Sequence, residues 1–195
     1  MNALVIYSHP VEGSFCSAMR DAAMAGLKEA GHSVSLIDLA LDNFDPVMSK
    51  SEWDVYVSGS GDVPEGLERY VELVKKSEIF VFVYPTWWSG LPAQLKGWLE
   101  RVMMPGVAFQ LNDKNKMRPT LTHVRHVYVL STFGSPKPYV RFINNNGRRI
   151  LVRAFRMSGS WRMRTTTLGM HQLDACSNAE RLVFLQKIEK VMARS

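Results

Sequence analysis

Only two cysteines, Cys16 and Cys176, occur in 195 residues. That excludes a disulfide scaffold, and neither cysteine sits in a CxxC or Cys/His spacing that would hold zinc or another metal. No apolar run approaches the ~18 residues needed to cross a bilayer. The opening residues Met1 to Tyr7 lack a basic leader, and their apolar stretch is too short for a secretory signal. There is no G-x-G-x-x-G dinucleotide fingerprint, no G-x-x-x-x-G-K-S/T phosphate loop and no G-x-S-x-G elbow. Ser8 and His9 are adjacent, so their side chains diverge and make no nucleophile–base pair. Glu65 and Glu100 have no partner evidently placed for glycoside chemistry. Repeats, low-complexity tracts and linkers are missing too. What remains is one cytoplasmic domain over residues 1–195, without a transmembrane segment.

The hydrophobic fraction is 46% and the charged fraction 22%, the balance of a globular chain that can bury a core unaided. The formal charge is +6. It is spread along the chain as far as residue 148, and no nucleic-acid motif accompanies it, so nucleic acid is not an expected partner. A mildly basic enzyme surface accounts for it, and the same charge suits an anionic ligand such as a dinucleotide.

Hydrophobic patterning predicts alternating strands and helices. Ala3 to Tyr7 is a continuous apolar run, as in a strand buried on both faces. Ser14 stands where a helix N-cap belongs, and the helical pattern runs from Phe15 to Ala30. Gly26 lies on its inner face and Gly31 ends it. Ser33–Asp38 is the second strand. Residues 39–63 read as irregular and polar, and Pro64 opens a helix towards Ser77. Ile79–Tyr84 is the clearest strand, ended by Pro85, and a helix follows from Pro92 to about Met103, with Trp98 in the core. His126–Ser131 is a fourth strand. A weaker helix covers about 146–155, a fifth strand centres on 164–168, and Asn178 caps a terminal helix ending near Ala193. This order implies an α/β fold: a doubly wound parallel sheet in a three-layer α/β/α arrangement.

Ligands of such sheets bind beyond the carboxyl ends of the strands, where strand order reverses. Three loops follow three strong strands there: residues 8–16, 85–91 and 131–139. The first ends at a helix N-terminus, whose free amides and dipole favour a phosphate, with His9 and Ser14 as added donors; an ordinary serine cap is the bland alternative. The second carries Trp87 and Trp88 side by side. Two neighbouring indoles in a short loop do not both fit the core beneath: either they offer flat surface to a planar ring, or one covers the core while the other packs in a dimer interface. In the third, Ser131-Thr132-Phe133-Gly134-Ser135, hydroxyls and a glycine allow close approach to a heterocycle, and Tyr139 follows. Hydroxyls, amides and aromatics without an acid–base pair are compatible with a cofactor-driven reaction.

Three stretches carry a resemblance: ALVIYSHPVEGSFCSAM (3–19), VYPTWWSGLPAQLKGWLERV (83–102) and LSTFGSPKPY (130–139). They resemble NAD(P)H:quinone oxidoreductases of the DT-diaphorase type, flavodoxin-like flavoproteins, together with their short bacterial relatives. The middle stretch is the most specific, and the similarity runs from residue 3 to about 140. The resemblance implies bound FMN or FAD, NADH or NADPH as donor, a quinone-type small-molecule electron acceptor, and a homodimer with the flavin near the subunit boundary. It puts the flavin phosphates on His9, Ser14, Phe15 and Cys16. It puts the isoalloxazine on Pro85, Thr86, Trp87, Trp88 and Ser89 and on Ser131, Thr132, Phe133 and Gly134. Tyr139 takes the place of the active-site tyrosine.

Three positions depart from the family pattern. Cys16 replaces an asparagine, Phe133 stands where glycine is frequent, and Asn145 replaces a histidine six residues after the tyrosine. Asparagine can hydrogen-bond a carbonyl but cannot become cationic at neutral pH. Nitro- or azo-reduction would use the same flavin chemistry. A non-catalytic regulator of a membrane transport system is a different class of reading. The basic segment Arg148, Arg149, Arg153, Arg156, Arg162 and Arg164 would then meet an acidic protein or make peripheral contact with an anionic membrane; in an enzyme the same arginines could bind the pyrophosphate of FAD or the 2′-phosphate of NADPH, and a solvated face is the plain alternative for most of them.

Overall fold

The computed structural model describes every residue except Asp113 and Asn115. The chain runs β1 (Asn2–Tyr7), α1 (Phe15–Glu29), β2 (Ser33–Asp38), α2 (Lys50–Ser58), α3 (Glu68–Lys76), β3 (Ile79–Pro85) and α4 (Ala93–Val102). It continues through β4 (Phe109–Leu111), β5 (Met117–Pro119), β6 (His126–Thr132), α5 (Lys137–Phe142), α6 (Asn146–Ser158), β7 (Arg164–Met170) and α7 (Asn178–Met192). Five strands form a parallel sheet in the order β2-β1-β3-β6-β7, and β4 and β5 make a small antiparallel ribbon. The order reverses between β1 and β3, which places the switch point at their carboxyl ends.

Alternation along the central strands feeds two cores. Leu4, Ile6, Phe80, Phe82 and Val129 join Trp98 and Phe155 on one face, whereas Val5, Val81, Val83 and Leu130 join Met19, Ala23 and Ile188 on the other. Every residue of β3 is buried, which is why its sequence is apolar without alternation. Trp98 is fully buried, as expected. Gly26 lets α7 approach α1: a Cβ there would lie 2.3 Å from the carbonyl oxygen of Glu189.

Several elements differ from the sequence expectation. Residues 50–58, read as irregular, form α2, which carries no apolar stripe and buries only Glu52. Its buried anchor is polar, and partly buried Tyr56 adds contact with the core. Ser49 and Glu52 form a capping box, and Arg101 Nε donates to the Glu52 carboxylate at 2.9 Å. Burial acts to raise the Glu52 pKa, but the bonds from Arg101 and Ser49 outweigh it and hold the group below the usual carboxylate range. The next helix starts at Glu68 rather than Pro64, because Pro64 opens a turn closed by the Leu67 N–H. The cap of α7 is Ser177, one residue before Asn178, and Ser177 forms a second capping box with Glu180. Short α5 occupies part of the expected third loop. Among the described residues no helix is long and apolar enough to cross a membrane.

Replacing Gly26 by Ala should lower stability by about 1–3 kcal/mol, since the α1–α7 contact has no room for a methyl group. Urea unfolding checks it. An unchanged midpoint would mean that α7 shifts away without loss.

Candidate functional site

The three expected loops leave the sheet side by side. The main-chain ladder runs one residue past each strand: Ser8 N–H donates to Val83 O at 3.0 Å, Thr86 N–H to Thr132 O at 2.9 Å, and Phe133 N–H to Met170 O at 2.8 Å. The loops therefore start about 4.8 Å apart, the spacing of neighbouring strands.

In the first loop Ser14 caps α1, its hydroxyl accepting from Ser17 N–H at 3.2 Å and lying 3.2 Å from the Tyr7 phenol. The amides of Phe15 and Cys16 occupy the first two helical positions, where no intrahelical carbonyl can reach them. His9 Nδ1 accepts from Val11 N–H at 3.0 Å, so the neutral ring carries its proton on Nε2 and can donate outward. Cys16 behaves differently from its neighbours. Its side chain is buried against the Thr132 hydroxyl at 3.6 Å, and burial pushes the thiol up to about 11. Only its backbone remains for a ligand. Arg20 fixes the loop from below: its guanidinium bonds Glu12, Asp21 and the buried Asp38 and lies 4.8 Å from the Tyr7 ring centroid.

The second loop is strained. Gly90 N–H donates to Trp87 O at 2.9 Å, with Trp88 at φ 47° and Ser89 at φ 60°. Two left-handed central residues make a type I′ turn, a conformation that favours Asn-Gly and costs on the order of 1–3 kcal/mol for each side chain forced into it. Both indoles point outward: Trp88 is fully exposed, and Trp87 is half exposed with its ring 6.1 Å from that of His9. The expectation that the two would not both enter the core is met, and neither ring covers it.

Thr86, Trp88 and Ser89 face Phe133, Gly134 and Tyr139 across a cleft of about 320 Å³. Phe133 forms its wall. The ring is buried, stacks on His171 at 4.6 Å and 9°, and lies against Gly169, where a Cβ would come within 2.8 Å of it. Burial, and then the charge of Lys137, lower the His171 pKa.

Pro85 and Ser131 are buried at their strand ends and do not line the cleft. Ser131 pairs in register with Tyr84, and the two buried hydroxyls have no hydrogen-bond partner beyond each other among the described residues. Burial raises the Tyr84 pKa. A Cβ on Gly147 would sit 3.0 Å from the Tyr84 oxygen and 3.3 Å from the Gly90 carbonyl carbon, so the first turn of α6 abuts the strained turn. Asn145 caps that helix, accepting from Arg148 N–H at 3.4 Å, and lines an adjoining groove instead of the cleft that holds Tyr139.

A protein family with the flavodoxin-like fold matches residues 1–184. The chain belongs to that family. It is 32% identical over 146 residues to an uncharacterized NAD(P)H oxidoreductase of Haemophilus influenzae, covering 70% of this chain and 71% of the relative. It is 31% identical over 159 residues to NAD(P)H dehydrogenase (quinone) 1 of Cavia porcellus, covering 70% of this chain and 55% of the relative. The match therefore spans about half the length of that mammalian enzyme. Among solved structures, the NAD(P)H:quinone oxidoreductase from Methanothermobacter marburgensis superposes with a TM-score of 0.84 at 24% identity, covering 100% of this chain and 96% of that one. The FMN-dependent NADH-azoreductase of Bacillus anthracis, solved with FMN, gives 0.75 at 16%, covering 99% and 98%. Both likenesses concern the fold.

Within this flavodoxin-like frame, the arginines of 148–164 do not form one patch. Arg148 and Arg149 line the groove at the carboxyl edge of the sheet, whereas Arg162 and Arg164 lie with Arg125 and His126 at the opposite end. Sequence reasoning also missed Arg20 and Tyr84. Nothing local marks Arg20, which ties Asp21 of its own helix to Glu12 of the first loop and Asp38 of β2, and Tyr84 reads as one more apolar strand residue.

Iodoacetamide at mildly alkaline pH should label Cys176, which is partly exposed, and leave Cys16 unmodified until the protein unfolds. Peptide mapping by mass spectrometry reads the sites. Equal labelling would mean that the Cys16–Thr132 contact opens in solution.

Proposed function

We propose that the chain is a flavin-dependent oxidoreductase that passes hydride from NAD(P)H through FMN or FAD to a quinone-type acceptor. The observation that carries this reading is the cleft between the strained Trp88-Ser89 turn and the Gly134 loop, one strand away from the first amides of α1, which have no partner among the described residues. The donor set suits a flavin at both ends. The Phe15 and Cys16 amides, the Ser14 hydroxyl and His9 Nε2 would hold phosphate, while the Trp88-Ser89 turn and Gly134 would border the ring. FMN agrees with a single phosphate site at α1, and an azoreductase of the same fold binds it. A bound flavin supplies the two-electron chemistry.

The residues of the chain have a limited task. The turn and the Phe133 wall shape a slot for planar groups and exclude water from one side. Tyr139, half exposed at the mouth of the cleft, stands where its phenol can donate to negative charge developing on an acceptor. Asn145 keeps its amide N–H groups for the neighbouring groove, since its carbonyl oxygen caps α6. Fully exposed Trp88 and the exposed Phe142 of α5 suit coverage by a second copy, so a homodimer is part of this reading, as is a cytoplasmic location where the nicotinamide donor is regenerated.

Saturating flavin should raise the melting temperature, because a ligand of the folded state stabilises it by mass action. Trp88→Ala should weaken flavin binding with little effect on the melt of the flavin-free protein. No shift with either FMN or FAD would sink the proposal.

Tyr139→Phe should retain flavin and lower turnover with a quinone by about one to two orders of magnitude, roughly 1.4–2.7 kcal/mol. Rapid mixing separates the two half-reactions. Unchanged rates of both would remove Tyr139 from the chemistry.

A further inference from the structure

Beside the cleft, and sharing the walls Phe133 and Val140 with it, runs a groove of about 580 Å³ along the outer edge of β7. Five cations line it: Lys137 and Arg141 from α5, Arg148 and Arg149 from α6, and Lys187 from α7. No carboxylate lines it, and none of the five makes an ion pair or a side-chain hydrogen bond among the described residues. Elsewhere Arg20, Arg69 and Arg101 each hold a carboxylate, whereas here five cations share one cavity without an acid. Like charges gathered without acids cost stability. A local rule broken without compensation in the folded chain points to a ligand that restores the balance. Guarding a sheet edge is the other use of such cations. Here they come from three different helices and surround a cavity with apolar walls at Val140, Leu168 and Phe184.

We propose that this groove receives the 2′-phosphate and adenosine of NADPH, making NADPH the preferred donor over NADH. The inference rests on the proposed flavin chemistry for the nicotinamide end and adds the site for the other end. A dianionic phosphate is the one group that distinguishes the two donors. Guanidinium forks bind it through paired, charge-assisted hydrogen bonds, and lysines add point charge. The Phe184 face and the Phe133–His171 stack supply flat surface for the base. The groove and the cleft lie on either side of the shared wall of Phe133 and Val140, so the two ends of one extended molecule would have neighbouring sites.

The test is calorimetric binding of adenosine 2′,5′-bisphosphate and of adenosine 5′-monophosphate to the purified full chain, with flavin affinity measured in parallel. The bisphosphate should bind on the order of tenfold tighter or better, and Arg141→Gln with Lys187→Gln should collapse that gap while leaving flavin affinity unchanged. Equal affinity for the two nucleotides would overturn the proposal and leave the cations as edge guards. So would inorganic pyrophosphate binding as tightly as the bisphosphate, or the double variant losing flavin in step. Discrimination by a protein that takes no flavin would support the groove and sink the flavin reading. Flavin binding without discrimination would do the reverse.

Discussion

The candidate site depends on three main-chain hydrogen bonds made just beyond the ends of β1, β3 and β6. Ser8, Thr86 and Phe133 each donate across to the neighbouring strand end, and so the ladder overruns the strands by a residue. Parallel strands in register end on one line, and this overrun carries the line into the loops. The phosphate donors, the strained turn and the glycine loop are thereby held at strand spacing. Apolar burial on both faces supplies the rigidity. Because every side chain of β3 is buried, the strand cannot slip without exchanging its two cores. A type I′ turn with tryptophan and serine at its centre persists on such a mount because its surroundings over-determine it.

Much of this was legible in the residues. Continuous apolar runs announced β1, β3 and β6, and Trp98, Gly26, Ser14 and the outward tryptophans followed from spacing and size. What escaped was held by polar or tertiary contacts. Helix α2 has no stripe to detect, since Glu52–Arg101 anchors it across 49 positions. The β4–β5 ribbon has three residues in each strand and is largely exposed, too little for a period-two signal. The choice between Ser177 and Asn178 as cap turns on one residue, and only the reciprocal bonds with Glu180 decide it. The site residues were located by their loops but sorted by the fold. Cys16 turns inward to Thr132, Ser131 pairs with Tyr84 and does not line the cleft, and Asn145 borders the groove rather than standing beside Tyr139.

Charge is partitioned in the same way. The basic run 148–164 looks uniform in sequence, but α6 and β7 carry its ends to opposite ends of the strands. Near β2, positive charge is matched: Arg20 gathers three carboxylates and stiffens the first loop. Near β7 it is left open around a cavity. One sheet edge is thus structurally complete, and the other is poised to interact.

The contact between Phe133 and Gly169 ties the two positions together. Alanine at 169 would set a methyl carbon 2.8 Å from a phenyl ring that is already clasped by His171. Position 169 can carry a side chain only if the ring at 133 moves or shrinks, and the ring keeps its place only beside a residue with no side chain. The two positions are coupled: a change at either is read at the other.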